Sequence, residues 1–259
     1  AIDLPARGYN RHFTVLKDKE LSYPVDANEQ QSVAGVLHKA DLAMQQQTTL
    51  LDNLQELKRA AMRELFTRGL RGEPQKETEI GLVPESWEIV SISDVALNTQ
   101  YGLSIRGTSS GAYPILRMNC QEDGKVHYRN LQFVDLDAET LKAFRVNPGD
   151  LLFNRTNSID LVGRMSIVED DLPAVFASYL VRLTVDSGQC DPRFLNYFMN
   201  WPATQAEIKK LASRAVGQAN INATKLKTVR FPLPSRDEQR EIVAILNSID
   251  RKIELHRQK

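Results

Sequence analysis

The sequence is poor in cysteine, histidine and long apolar runs, and neither sign of charge is in excess. Its 259 residues contain two cysteines, Cys120 and Cys190, too few for a disulfide framework, so we expect free thiols in a cytoplasmic protein. The four histidines lie far apart, without a cysteine or second histidine at ligand spacing, which argues against a zinc site. No apolar run approaches the roughly 18 residues of a membrane span, and no amino-terminal signal pattern is present.

Charge and motif content argue against several further classes of function. The 33 Lys and Arg residues balance the 33 Asp and Glu residues, so binding to nucleic acid must come from a local patch. We find no phosphate-binding glycine loop, nucleophile elbow or HExxH motif, and we therefore expect no catalytic site, cofactor or metal. Asp191 with Glu207-Ile208-Lys209 weakly resembles a nuclease arrangement, but Glu-x-Lys is common on helix faces.

A heptad pattern predicts a long helix over residues 26–72. The pattern has steps of three and four, with Gln47 and Lys58 as polar interruptions. Its apolar positions are Val33, Leu37, Ala40, Met44, Leu51, Leu54, Ala61 and Leu65. Asp26 or Asn28 can cap the start of the helix, and Gly69 and Gly72 can end it. Such a helix serves either as a spacer and assembly device or as an amphipathic helix lying along its own domain.

An internal repeat appears when the chain is aligned with itself at an offset of 209 residues. Residues 28–41 align without a gap on residues 237–250, and Glu29, Gln30, Leu37 and Asp41 have identical counterparts. An aromatic-Pro pair precedes each copy, as expected where an extended segment leads into a helix. The repeat predicts a second, shorter helix over residues 236–259; chance similarity between two amphipathic helix starts is the alternative.

Between the copies, short apolar runs separated by turn residues predict a mixed domain over residues 76–235. Helices are predicted at Ser93–Asn98, Ala138–Phe144, Pro192–Asn200 and Ala203–Ser213. Strands are predicted at Trp87–Val90, Tyr113–Leu116, Leu151–Phe153 and Leu180–Leu183. The predicted fold class is therefore α+β, a globular mixed domain flanked by a long coiled-coil-type helix and a shorter one. Residues 1–25 are interpreted as the tail of a preceding segment. The absence of an initial Met indicates a processed product or, as we favour, a piece of a longer chain.

Two polar segments of the mixed domain carry side chains suited to nucleic acid. The first follows a predicted strand, where a loop should carry its residues outward: Asn154, Arg155, Thr156, Asn157 and Ser158. The second contributes Arg214, Gln218, Asn220 and Asn222, and Arg106 and Lys225 are added as cationic contacts. Arg can bond guanine, Asn and Gln can bond adenine, and hydroxyls can hold phosphate.

The basic charge of this domain is concentrated near its second polar segment. Residues 204–230 contain six Lys or Arg against one Glu, whereas residues 81–203 contain ten against fifteen acidic residues. A local basic patch is typical of a surface that faces DNA, although a solvated charged face is the alternative for either stretch.

Several ordered segments closely resemble motifs of one known family. In chain order they are GLVPESWE (81–88), YPILRMN (113–119), GDLLFNRTNS (149–158), RAVGQANIN (214–222) and FPLP with DEQREIV (231–243). They resemble the target recognition domain and the conserved helical region of type I restriction-modification specificity subunits. The resemblance covers about residue 28 to the end of the sequence.

The resemblance implies a non-catalytic subunit that recognises double-stranded DNA. Subunits of that family have two target recognition domains separated by two long antiparallel helices, and each domain reads half of a bipartite site. Methyltransferase subunits bind the helices, and restriction subunits complete the nuclease. By this resemblance the polar residues above contact DNA, whereas the apolar helix positions, with Ile242 and Ile249, bind partners. A helix of roughly 65 Å would span about 19 base pairs between half-sites.

The sequence departs from the family pattern in having one recognition domain and a second helix that reaches only residue 259. Two copies could then form a homodimer through their helices and read identical half-sites in inverted orientation. A coiled-coil scaffold that binds protein partners is the alternative function.

Overall fold

The computed structural model describes residue 20, residues 22–215 and residues 217–257, without the side chains of residues 214 and 215. The tail predicted over residues 1–25 therefore lies largely outside the described residues. The chain divides into two compact units, Ala1–Asp52 and Asn53–Lys259. A mixture of helices and strands confirms the α+β fold class.

The described helices and strands are given in chain order. The helices are α1 (Ala27–Arg68), α2 (Ile92–Val95), α3 (Ala138–Phe144), α4 (Pro192–Asn200), α5 (Pro202–Lys210), α6 (Ala223–Lys227) and α7 (Arg236–Arg257). The first eight strands are β1 (Gln75–Thr78), β2 (Gly81–Pro84), β3 (Glu88–Ser91), β4 (Ala96–Tyr101), β5 (Tyr113–Leu116), β6 (Gln121–Glu122), β7 (Lys125–Val126) and β8 (Gln132–Val134). The others are β9 (Leu151–Asn154), β10 (Thr156–Asn157), β11 (Met165–Ile167), β12 (Val175–Phe176), β13 (Leu180–Val185), β14 (Ser213–Ala215), β15 (Gln218–Asn220) and β16 (Arg230–Leu233). None of the helices in the described ranges combines the length and apolar character needed to cross a lipid bilayer.

The ends of α1 follow from local chemistry. The Asp26 carboxylate accepts a hydrogen bond from the Asn28 backbone N–H at 3.2 Å, which satisfies a donor of the first turn. Arg68 is the last helical residue, and Gly69 follows with φ of +62°, a left-handed conformation that glycine adopts without strain. The long helix predicted over residues 26–72 thus runs from Ala27 to Arg68.

A six-stranded sheet in the order β4-β13-β9-β11-β7-β6 separates two apolar clusters. Side chains alternate between the faces of a strand, so neighbouring residues of β9 enter different clusters. Leu151 and Phe153 pack in the larger cluster, and Leu152 packs in the smaller one. All four residues of β9 are buried, which places this strand at the centre of the mixed domain.

The larger cluster joins the last turns of α1 to α4 and α7. The Phe66 ring meets the Phe194 ring edge to face at 5.7 Å between centroids and the Phe198 ring at 5.4 Å. Ile242 and Leu246 of α7 are fully buried in the same cluster. Aromatic pairs in this geometry stabilise a core beyond their buried area, so the C-terminal end of α1 and the middle of α7 are integral parts of the domain.

Two polar side chains at the start of α7 connect this helix to the chain after α1 and to the start of α4. Glu238 is 3% exposed, and its carboxylate accepts hydrogen bonds from the Leu70 N–H at 2.7 Å and the Trp87 indole N–H at 3.2 Å. Gln239 is fully buried; its amide donates to the Gln189 and Pro234 carbonyls, and its oxygen accepts from the Asp191 N–H. We call these two residues the Glu238–Gln239 pair.

The two copies of the sequence repeat begin their helices in the same way. The Gln30 N–H donates to the Asp26 carbonyl, and the Gln239 N–H donates to the Ser235 carbonyl, at the same offset of 209 residues. Both glutamine side chains also donate to a proline carbonyl that precedes the helix. The surroundings differ, because Glu29 and Gln30 are exposed whereas the Glu238–Gln239 pair is buried.

One predicted helix is wrong in its second half. Residues 93–98 were expected to be helical, but α2 ends at Val95 and β4 begins at Ala96. The backbone of β4 pairs with β13 from Ala96 to Tyr101. Pairing with a strand more than 80 residues away overrides the local preference.

We expect Glu238→Ala to lower the free energy of unfolding by about 3 kcal/mol, because the buried Trp87 indole and the half-buried Leu70 N–H lose their acceptor. Glu241→Ala on the same helix is the matched control. Glu241 is half exposed and pairs with the exposed Arg71, so its loss should cost less than about 1 kcal/mol. Urea unfolding of the whole chain measures both, and equal losses would contradict this role of Glu238.

Candidate nucleic-acid interface

Arg155 lies where three segments of the mixed domain meet. It stands between β9 and β10, and its N–H donates to the Tyr179 carbonyl at 3.0 Å. Its carbonyl accepts from the Ile221 N–H at 2.8 Å. The backbone of one residue thus joins the segment before β13 to the segment after β15, and it brings the two polar segments of the sequence together.

The Arg155 side chain is held from two directions. Its guanidinium carbon lies 4.9 Å from the centre of the Tyr101 ring, and one terminal nitrogen donates to the Ser178 carbonyl at 3.2 Å. A guanidinium over an aromatic face is attracted by the ring's negative charge distribution. These contacts restrict a side chain that would otherwise sample many rotamers, and Arg155 itself is half-buried.

A small sheet in the order β10-β15-β14 presents the second polar segment beside Arg155. Thr156 pairs with Asn220 and Asn157 with Ala219, and the Asn220 amide donates to the Thr156 hydroxyl at 2.6 Å. Gln218 is exposed at the start of β15. Gly217, at the turn before it, has φ of +73°, a conformation that favours glycine.

Asn222 and Lys225 organise the chain that follows β15. The Asn222 side chain caps α6 by accepting a hydrogen bond from the Lys225 N–H at 2.8 Å. The Lys225 ammonium donates to the Leu211 carbonyl and the Ser213 hydroxyl, at 2.7 and 2.9 Å. Both side chains therefore have structural roles, and contact with DNA by either one stays a prediction.

The expectation that residues 154–158 form an outward loop is wrong for two of them. Asn154 ends β9 and is 1% exposed, while Thr156 lies on β10 and is 6% exposed. The pairing of Asn154 with Leu180 of β13, and of Thr156 with Asn220 of β15, turns these two side chains inward. Asn157 is half-buried and Ser158 is exposed.

The remaining predicted contacts are distributed around this junction. Arg106 is exposed in the loop that follows Leu103, whose carbonyl accepts from the Ser178 N–H at 2.9 Å. Arg214 lies on β14 opposite Ala219, and its side chain lies outside the described part of the chain. The assignment of all these residues to DNA binding stays a prediction.

Two tyrosines at the junction were missed by the sequence analysis. Tyr101 is 44% exposed beneath Arg155, and Tyr179 is 45% exposed beside the Ser178 carbonyl. Both come from parts of the sequence without a polar motif, so only the folded chain brings them to Arg155.

The basic charge counted along residues 204–230 is partly offset in the fold. Arg230 pairs with Glu79 at 2.6 Å, and Lys210 pairs with Glu207 at 2.7 Å. Glu79 comes from outside the basic stretch, so a count along the sequence overstates the local positive charge.

The nuclease arrangement considered from the sequence has other contacts in the structure. Asp191 caps α4 and lies 3.6 Å from an Arg236 nitrogen, while Glu207 pairs with Lys210. Across the described residues, no group of three or more His, Cys, Asp or Glu side chains is arranged to hold a metal ion.

The predicted partner-binding positions fall into two groups. Val33, Leu37 and Met44 of α1 are 46%, 60% and 64% exposed, and Leu51 and Leu54 are half-buried. Leu65, Ile242 and Ile249 are at most 7% exposed because they pack inside the 53–259 unit. As contacts to a partner, these last three are corrected to core residues.

A polar contact also joins α1, α4 and α7 within this unit. The Lys58 ammonium lies 2.6 Å from an Asp250 oxygen, and the Tyr197 hydroxyl donates to Asp250 at 2.6 Å. Burial, followed by the nearby Asp250 carboxylate, raises the pKa of Tyr197 above its usual value, so the phenol stays protonated. Lys58, a polar interruption of the heptad pattern, is therefore a specific contact between helices.

The described chain is a mixed α+β domain preceded by the long helix α1 and followed by the shorter helix α7. The family profile described as "Type I restriction modification DNA specificity domain" matches residues 84–259, and the chain belongs to this family. The coiled-coil scaffold alternative is not favoured by this match.

Relatives in the family are named specificity subunits. The chain is 32% identical to the type I restriction enzyme MjaX specificity subunit of Methanocaldococcus jannaschii over 178 residues, which are 68% of this chain and 42% of the relative. It is 26% identical to the MjaVIII specificity subunit of the same organism, over 88% of this chain and 55% of the relative. The chain thus spans about half the length of these relatives.

Solved structures share the fold. The HsdS subunit from Thermoanaerobacter tengcongensis aligns with a TM-score of 0.57 at 18% identity, over 88% of this chain and 51% of that one. The S subunit of the type I system from M. genitalium aligns with a TM-score of 0.58 at 11% identity, over 90% and 57%. At these identities the comparison concerns the fold alone.

We expect Asn220→Ala to lower the free energy of unfolding by about 1 kcal/mol, because the buried Thr156 hydroxyl loses its donor. Gln218→Ala on the same strand is the control, since this exposed side chain should contribute less than about 0.5 kcal/mol. Chemical denaturation separates the two variants. An Asn220→Ala protein as stable as Gln218→Ala would show that the β10-β15 contact does not depend on this bond.

Proposed function

We propose that this chain is a non-catalytic DNA-recognition component of a type I restriction-modification system. The observation that carries the proposal is the junction at Arg155, whose backbone joins the two polar segments and whose guanidinium is restrained by the Tyr101 ring and the Ser178 carbonyl. Family membership supports it. A cytoplasmic location agrees with the proposed substrate, double-stranded DNA.

In the proposed mechanism, Arg155 reads a base edge, and the neighbouring polar residues complete the contact. A guanidinium with a fixed plane can donate two parallel bonds to guanine O6 and N7. Asn157 and Gln218 can bond adenine, and Ser158 can hold a phosphate oxygen. Arg106 and Arg214 add charge to this surface, while Asn154 and Thr156 support it from inside the domain.

We further propose the domain boundaries and partners implied by the family. Residues 76–235 act as the target recognition domain, and residues 26–72 and 236–259 act as the helices that carry it. The exposed apolar positions of α1 bind a methyltransferase subunit, through which the restriction subunit joins the complex. Two copies joined through their helices would read inverted identical half-sites.

The test of the recognition role is to co-express the chain with a type I methyltransferase subunit from its own source and map methylated adenines in the host genome. We expect one new bipartite motif, and equal half-sites would support a homodimer. Absence of new methylation, although the two proteins co-purify, would contradict the recognition role.

Arg155→Ala should relax the preference at one base pair of that motif, by about 1 to 3 kcal/mol, because a bidentate base contact is lost. Arg129→Ala is the control, since Arg129 is an exposed arginine paired with Glu122 away from the junction. Methylation rates on duplexes with each base at each position measure the change. A uniform loss at all positions would assign Arg155 to the phosphate backbone instead.

Leu37→Asp should weaken binding of the methyltransferase subunit by about tenfold or more, because a charge is placed in an apolar contact. Gln46→Asp is the matched control, as it adds the same charge on the opposite face of α1. Binding to an immobilised subunit measures both variants. Equal affinity of the two variants would contradict the assignment of this helix face to a partner.

A further inference from the structure

We propose that Tyr101 is a positioning residue that sets the base preference of Arg155. The inference rests on the proposed function and adds to it a residue outside the polar motifs of the sequence. Tyr101 lies on β4, more than 50 residues before Arg155, and its ring packs against the guanidinium. Its hydroxyl contacts Ala223, the residue that directly follows the second polar segment, so one side chain links Arg155 to the end of that segment.

The first contact fixes the plane of the guanidinium. The Tyr101 ring centre lies 4.9 Å from the Arg155 guanidinium carbon. One terminal nitrogen of this guanidinium donates a hydrogen bond to the Ser178 carbonyl. Cation–π attraction holds the position of the group, and the hydrogen bond sets its rotation. A bidentate contact with guanine needs a fixed position and a fixed rotation of the guanidinium, because its two donors must point along parallel lines.

The second contact extends the arrangement to the start of α6. The Tyr101 hydroxyl accepts a hydrogen bond from the Ala223 N–H at 3.0 Å. Ala223 directly follows Asn222, the residue that caps α6. Tyr101 therefore contacts both Arg155 and the start of α6, while strand pairing with β10 and β14 holds residues 218–220 independently.

The backbone that carries Tyr101 is itself restrained. Tyr101 pairs with Val181 of β13, and the next N–H, that of Gly102, donates to the Leu180 carbonyl at 3.3 Å. A Cβ at Gly102 would lie only 2.3 Å from the Ala177 carbonyl oxygen, so this residue must be glycine for the strand to approach so closely. A side chain on a strand fixed in this way can hold its neighbour within the narrow geometry that base readout requires.

The exposure of Tyr101 indicates that this side chain positions Arg155 and is not a core residue of the domain. Tyr101 is 44% exposed, so removal of its ring should affect the Arg155 side chain more than the packing of the domain. The effect should therefore appear in sequence preference at one base pair, which a loss of global stability would not change selectively.

The experiment compares Tyr101→Leu, Tyr101→Phe, Arg155→Ala and the double variant Tyr101→Leu/Arg155→Ala in the complex with the methyltransferase subunit. Methylation rates on duplexes carrying each base at each position of the motif are the readout. Tyr101→Leu should reduce the preference at the Arg155 position about tenfold and leave most other positions unchanged. Tyr101→Phe keeps the ring and should retain that preference, because only the bond to Ala223 is lost.

The double variant should show the same preference at that position as Arg155→Ala alone, since Tyr101 acts through Arg155. Additive losses, or equal losses in the Leu and Phe variants at that position, would overturn the inference. If Tyr101→Leu does not fold, Tyr101→Met replaces it, as an unbranched apolar side chain without an aromatic face.

The failure of this inference is distinguishable from failure of the proposed function. A wild-type complex that methylates all sequences alike would contradict the recognition role itself. A selective wild-type complex whose preference is unchanged by Arg155→Ala would overturn the role of Tyr101 and leave the recognition role standing.

Discussion

The buried carboxylate of Glu238 is the contact on which the arrangement of the 53–259 unit depends. It accepts from the chain just after α1 and from the Trp87 indole, while the helix that carries it packs Ile242 and Leu246 into the same core. A buried carboxylate without such partners would be strongly unfavourable, so the three elements are held together. The glycine at position 69 leaves room for this approach, since a Cβ there would lie 2.8 Å from the Glu238 carboxylate.

The candidate interface is formed by strand pairing and not by a flexible loop. β9 runs through the centre of the mixed domain, and Arg155 follows it at the point where the chain turns into β10. The backbone bonds of Arg155 to Tyr179 and Ile221 make its position a consequence of the sheet. Readout of DNA by such a residue would require little ordering on binding, which favours specificity over adaptability.

The sequence predicts helices well where a capping residue beside the helix marks its start. Ala138–Phe144 and Pro192–Asn200 are helices with the predicted bounds, and the side chains of Asp137 and Asp191 cap them. The candidate site was predicted less completely, because strand pairing with distant parts of the chain decides whether a side chain points inward or outward. The pairing of β10 with β15 buries Thr156, and the pairing of β4 with β13 brings Tyr101 beneath Arg155. Neither contact leaves a signal in the local sequence.

The pairing of β3 with β16 bears on how the segment between these two strands could be replaced during evolution. Ser91 lies opposite Arg230, so the chain enters and leaves the intervening segment at neighbouring positions, about 5 Å apart. Trp87, Leu70 and Glu238 all lie outside this segment. A different segment could replace this one by a single recombination if it had equally close ends, a helix start to meet Gln239 and an apolar helix face to pack against Phe66. New specificities could then be inherited while the helical framework is kept.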